Sequence, residues 1–102
     1  MKFGLYAVYD SAVQVYQGPF KFQTDGQATR WFHDQCLNAE TPIAQHPEDY
    51  TFFQVGEWND STGQADPVVP ICLAKALEVV AASRNVKADN LEEFDKKVSS
   101  MN

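Results

Sequence analysis

His46-Pro47-Glu48-Asp49-Tyr50-Thr51-Phe52-Phe53-Gln54-Val55-Gly56-Glu57-Trp58 is the stretch on which the fold turns. It opens on proline and acids, the chemistry of a turn, and passes directly into an aromatic and β-branched run, the chemistry of a strand with at least one packed face. A strand of this kind needs partners in a sheet, and the flanking sequence supplies them. Phe3-Gly4-Leu5-Tyr6-Ala7-Val8-Tyr9 is rich in strand formers. After Asp10-Ser11-Ala12, the run Val13-Gln14-Val15-Tyr16 is a second such segment, so the two read as a β-hairpin. Its turn contains no glycine, which leaves the turn type open. Gly18-Pro19 interrupts, and Phe20-Lys21-Phe22 resumes an extended segment. Downstream, Asn59-Asp60-Ser61-Thr62-Gly63 is a strong turn signal. A short edge strand follows until Pro67 and Pro70, which are incompatible with central pairing and are expected to end the sheet.

Between the hairpin and the aromatic strand, Thr24-Asp25-Gly26-Gln27 has the spacing of a capping box and predicts a helix start. Ala28, Trp31, Phe32 and Cys36 then recur at helical spacing as an apolar face, Arg30 and Asp34 form an i,i+4 pair on the polar side, and the helix should stop near Asn38. Ala39 to Asp49, with prolines at 42 and 47 and little periodicity, reads as a loop returning the chain to the sheet. From Ile71 to about Ser83, the positions Leu73, Leu77, Val80 and Ala81 fit a buried helix face. Arg84 to Ala88 is a break. Asp89 can cap a last helix with Glu92 and Glu93 early and Lys96 and Lys97 late, an order that suits the helix dipole. The stripe Leu91, Phe94, Val98 and Met101 is its apolar side; it must cover the chain's own sheet, a second copy or a partner, and in the last two cases it is the candidate partner or oligomer interface.

The expected fold class is α+β: a small antiparallel sheet of about four strands, a helix packed on one face, and C-terminal helices. With 102 residues, 44% of them hydrophobic, the chain suits one compact core. Residues 1–83 are expected to form that domain and residues 84–102 a linker and amphipathic helix. Cys36 and Cys72 are too few for a disulfide scaffold and read as reduced thiols in a cytoplasm. No apolar run reaches the length of a membrane span, so no membrane association is expected.

The formal charge is -6, and residues 1–72 carry all of that excess, while residues 73–102 balance. A protein that coats nucleic acid mainly by neutralising phosphates is therefore excluded, because such binding draws on many Lys and Arg contacts. Basic surface must be local, around Lys21 and Arg30 or near Arg84, Lys87, Lys96 and Lys97.

Alternation sorts the sheet residues into two faces, with Leu5, Ala7, Val13, Val15, Phe53 and Val55 on one and Tyr6, Val8, Gln14, Tyr16, Phe52, Gln54 and Trp58 on the other. The first is expected to receive the Trp31 and Phe32 helix. The second interleaves aromatics with amides, the kind of surface on which unpaired bases stack. The candidate nucleic-acid-binding set is Tyr6, Tyr16, Phe52 and Trp58 for stacking, with Lys21 and Arg30 for the backbone. Against this stands the ordinary fate of aromatics at strand spacing, which is burial in a core.

His33 and Cys36 on one helix, with His46 or Asp49 from the following loop, are zinc-ligand types, but their spacing matches no zinc motif and no metal or cofactor is expected. Cys36 beside His33 lacks an orienting group and oxyanion donors, so no catalytic residues are assigned and the chain is not expected to be an enzyme. The acids Glu48, Asp49, Glu57, Asp60 and Asp66 are spread over turns and strand ends, where they solvate loops and blunt sheet edges. The glycines are isolated, so no phosphate-binding loop is present.

Tyr6-Ala7-Val8-Tyr9-Asp10, Thr24-Asp25-Gly26-Gln27-Ala28-Thr29-Arg30, and His46-Pro47-Glu48-Asp49-Tyr50 leading to Val55-Gly56-Glu57-Trp58 together resemble the small nonstructural protein of gokushoviruses, single-stranded DNA phages of the Microviridae. The resemblance spans roughly residues 1 to 67. It implies a DNA-binding accessory role in viral replication or genome packaging in the cytoplasm of the bacterial host, and it brings no catalytic residues. The partner the resemblance implies is single-stranded DNA. A second copy of the chain and a viral or host replication protein are expected instead from the apolar stripe of the last helix, in the segment from Ile71 onward that the resemblance does not reach. An alternative from a different class is a non-enzymatic oligomeric adaptor, which the acidic charge favours. The position of the C-terminal helices separates the two, because helices lying over Tyr6 and Trp58 would remove the stacking platform.

Overall fold

The computed structural model describes residues 1–84, and the stripe Leu91, Phe94, Val98 and Met101 lies outside them. The strands are β1 (Lys2–Asp10), β2 (Val15–Phe22), β3 (Tyr50–Asn59) and β4 (Gln64–Lys75). They form a 4-stranded antiparallel sheet in the order β2-β1-β3-β4. Two helices, α1 (Asp25–Leu37) and the short α2 (Pro42–Gln45), and a 3-10 turn (Pro47–Asp49) connect β2 to β3. Residues 76–84 are helical. The fold class is α+β, with helices packed against one face of the sheet.

Local chemistry explains the element ends. Thr24 caps α1 by accepting a hydrogen bond from the Gln27 backbone N–H at 3.1 Å. Thr41 caps α2 in the same way, accepting from Ala44 N–H at 3.1 Å, with Pro42 at the first helical position where its missing N–H costs nothing. The β1–β2 turn takes its positive φ from Gln14 at 58°, and Asp10 steadies it by accepting from Ala12 N–H at 3.0 Å. Val13 and Gln14 therefore belong to the turn, not to the strand expected from 13 to 16.

The chain departs from expectation after the last turn. Gly63, at φ 71°, closes the β3–β4 hairpin, and β4 then runs through both Pro67 and Pro70 to Lys75. Prolines are tolerated because β4 is an edge strand and its register against β3 shifts between Gln54 and Gly56, where the ladder is already irregular. Ile71 and Leu73 are thus strand residues, and the helix starts at 76.

The core corrects the assignment of faces. Tyr6, Val8 and Phe52 meet Ala28, Phe32 and Cys36 of α1, Ile43 of α2, and Ala76 and Val80 of the last helical segment. Trp31 leans on Phe20, Phe22 and Phe52 with centroids 4.9, 5.7 and 5.9 Å away. The helices therefore cover the face of Tyr6 and Phe52, not that of Leu5 and Phe53. Each fully buried aromatic of this layer contributes roughly 1.5–3 kcal/mol.

Candidate nucleic-acid interface

The reversal of faces divides the sequence-derived set. Tyr6 is 1% exposed and Phe52 0%, so neither can stack on a base. Arg30 is exposed on α1, on the helix-covered side of the sheet. Tyr16 is 48% exposed, Trp58 half-buried and Lys21 exposed, and these three belong to the opposite, outer face.

That face follows from β1, whose alternation is regular. Tyr6 and Val8 point into the core, so Phe3, Leu5, Ala7 and Tyr9 point outward. Their cross-strand partners share the face: Tyr16 opposite Tyr9 and Lys21 opposite Leu5 on β2, and Phe53 opposite Ala7 and Trp58 opposite Phe3 on β3. The extra residues sit in the neighbours, at Gly18-Pro19 in β2 and Val55 in β3, where the registers shift. The bulge at Val55 lets Phe53 and Trp58, five positions apart yet of opposite parity, appear on one side.

The outer face carries a connected aromatic group. Tyr9 and Tyr16 rings lie 4.6 Å apart at 39°, and Phe53 meets Tyr16 edge-on at 5.6 Å and Tyr9 at 6.5 Å. A shallow hollow of about 310 Å³ adjoins it, bounded by Ala7, Tyr16, Gly18, Pro19 and Val55. At the far end Lys21 holds its ammonium 4.8 Å from the centre of the Phe3 ring. From Tyr9 to Phe3 the row extends about 20 Å at the rise of a strand. Among the described residues no helix lies over it. Phe3, Tyr9 and Phe53 are the members that sequence reasoning missed. The clean alternation Phe20-Lys21-Phe22 was the available signal, since a lysine between two aromatics marks the solvent side of the hairpin.

The metal-ligand types do not assemble as the sequence suggested. Cys36 is in the core, and burial pushes its thiol up to about 11. His33 is exposed on the helix. Among the described residues His46, Glu48 and Asp49 bring one ligand atom each within 4.8 Å of one another on the exposed 3-10 turn. No helix among the described residues is long and apolar enough to cross a membrane.

Neither a curated protein nor a solved structure matches the chain. The family described as Phage ORF5 protein matches residues 3–79, a span that takes in nearly the whole sheet, α1 and the start of the last helical segment. The chain therefore belongs to this family of phage proteins.

Proposed function

We propose that this protein is a nonstructural accessory protein of a Microviridae phage that binds single-stranded DNA during replication or genome packaging, without catalysing a reaction, in the cytoplasm of the bacterial host. Membership of a phage protein family supports the viral setting, and the resemblance to gokushovirus nonstructural proteins supports the finer one. The observation that carries the binding reading is the outer row of Tyr9, Tyr16 and Phe53, continued by Trp58 and by Phe3 under Lys21.

Base stacking on exposed aromatics is sequence-tolerant and needs few cations, which suits a chain of charge -6. Duplex DNA hides its base faces, so it has little to offer this surface. Titration of a labelled single-stranded oligonucleotide, with duplex as control, tests the reading. Single strands should bind, duplex should not, and Tyr16→Ala should weaken binding several-fold while the fold is kept. Absence of binding at low salt would overturn it. The oligomeric adaptor, favoured by the acidic charge and by exposed Val69 and Ile71 on the β4 edge, would then be the reading to test by protein capture and sedimentation.

A further inference from the structure

On the helix-covered side of the sheet, beyond the N-terminus of α1, a cleft of about 350 Å³ opens between Lys2, Phe3 and Tyr6 of β1, Gln23 and Asp25 at the start of α1, and Gln54 and Glu57 of β3. Its origin is steric. Gly4 has no side chain, and the Tyr6 ring folds over it, so close that a Cβ on Gly4 would lie 2.5 Å from the ring's Cζ. The Tyr6 hydroxyl donates to Asp25 Oδ1, which fixes one wall. Glu57 stands opposite Gly4 in the register and Lys2 lies one step along the same face. Among the described residues Glu57 has neither an ion pair nor a side-chain hydrogen bond, although it is half-buried.

Apart from the Phe3 and Tyr6 rings the lining is polar, so the cleft suits a flat polar ligand better than an apolar one. Two carboxylates beside one ammonium repel a phosphate and select a group with adjacent N–H donors flanked by an acceptor. Among the DNA bases guanine alone has that edge: N1–H and the 2-amino group match the two oxygens of one carboxylate, and O6 faces a cation. Cytosine and adenine offer one donor beside an acceptor, and thymine offers a lone N–H between carbonyls. Such edges are free in single strands and engaged in duplexes.

We infer that this cleft binds an unpaired guanine, with Glu57 accepting from N1–H and the 2-amino group and Lys2 donating to O6. As a DNA contact the inference rests on the single-strand reading, and it makes that reading base-selective. The cleft and the Phe3–Lys21 end of the outer row lie at the same end of the sheet, joined by Lys21-Phe22-Gln23-Thr24-Asp25, so a strand leaving the row past Lys21 can present a base to the cleft.

The test compares an oligothymidylate with the same strand carrying one guanine, and separately follows free 2′-deoxyguanosine by NMR at the Gln54 and Gln23 side-chain amides. The guanine strand should bind about tenfold tighter, hypoxanthine in place of guanine should lose most of that gain, and Glu57→Gln or Lys2→Gln should abolish the difference. Free deoxyguanosine, but not thymidine, should shift the amide signals. Equal affinity of the two strands with no nucleoside shift would overturn the cleft and leave the outer face standing. Nucleoside shifts with no strand binding would uphold the cleft and overturn the outer face. If the amides respond to arginine amide and not to deoxyguanosine, the cleft takes a partner's guanidinium and the guanine assignment falls.

Discussion

Phe52 of β3 lies parallel to Phe32 of α1, centroids 4.8 Å apart and planes at 7°, while its neighbour Phe53 faces the other side of the sheet among tyrosines. Adjacent phenylalanines thus have different work, and their alanine variants should separate. Phe52→Ala should cost about 3–5 kcal/mol, the range for emptying a buried aromatic site. Phe53→Ala should cost about 1 kcal/mol and act on DNA affinity instead. Urea melts of both variants check this, and equal losses would contradict the assignment of faces.

Tyr6 couples the sheet to α1 through its bond to Asp25. Asp25 is exposed and regains water when the hydroxyl is removed, so Tyr6→Phe should cost only about 1 kcal/mol. The pH dependence is more telling. Burial first, and then the Asp25 carboxylate, raise the Tyr6 phenol above its usual range, and burial followed by Asp10 raises Tyr50. The unfolded chain therefore gives up these protons before the folded one does. Their stabilisation is complete below about pH 10 and is lost as the pH climbs above it. Denaturant melts should show stability falling across that range, with a shallower fall in Tyr6→Phe.

The two cysteines should be chemically distinct. Cys36 is 2% exposed with its thiol raised to about 11 by burial, and Cys72 is exposed on β4. At pH 8 a disulfide reagent should modify one thiol quickly and the other only on unfolding. Cys72→Ser should remove the fast phase.

Gly4 tests the origin of the cleft. Its missing Cβ is filled by the Tyr6 ring, whose Cε2 would lie 2.6 Å from an added methyl. Gly4→Ala must push the ring off its seat, which should cost about 1–3 kcal/mol as overpacking does. The Tyr6→Phe, Gly4→Ala double variant should lose less than the sum, because the displaced ring no longer has an Asp25 bond to forfeit. Additive losses would count against the coupling.

Helix α1 was legible in full, from the Thr24 cap to the stop at Asn38, because capping and 3.6-residue periodicity are local properties. The hairpins and the α+β class were legible for the same reason. What alternation could not decide was which face of β1 and β3 is inside. Leu5 and Ala7 alternate with Tyr6 and Val8, and Phe52 sits beside Phe53, so both faces are apolar and period two carries no polarity. The choice is made by where the helices seat, on Tyr6, Val8 and Phe52, and the bulges at Gly18-Pro19 and Val55 then shift the parity of β2 and β3; both are tertiary and pairing properties, not strand properties. The reach of β4 through Pro67 and Pro70 was hidden likewise, since an edge strand forgives prolines and edge status is known only from the sheet order.

Lys21 and Arg30 lie on opposite sides of the sheet, and salt dependence tests which of them the proposed single strand would meet. A strand on the outer face passes Lys21, next to Phe3, and Lys75, which pairs with Thr51 on that face. Each phosphate neutralised on a single strand contributes about -0.7 to the slope of log affinity against log salt, so two lysines imply a slope near -1.4. That is shallow for a nucleic-acid binder, and it is what an acidic protein relying on stacking should show. Lys21→Gln should flatten the slope by about 0.7, while Arg30→Gln, behind the sheet on α1, should leave it unchanged. A steep slope that collapses in Arg30→Gln would place the strand on the helices and overturn the outer-face reading, because screening acts on ionic contacts and leaves stacking nearly untouched.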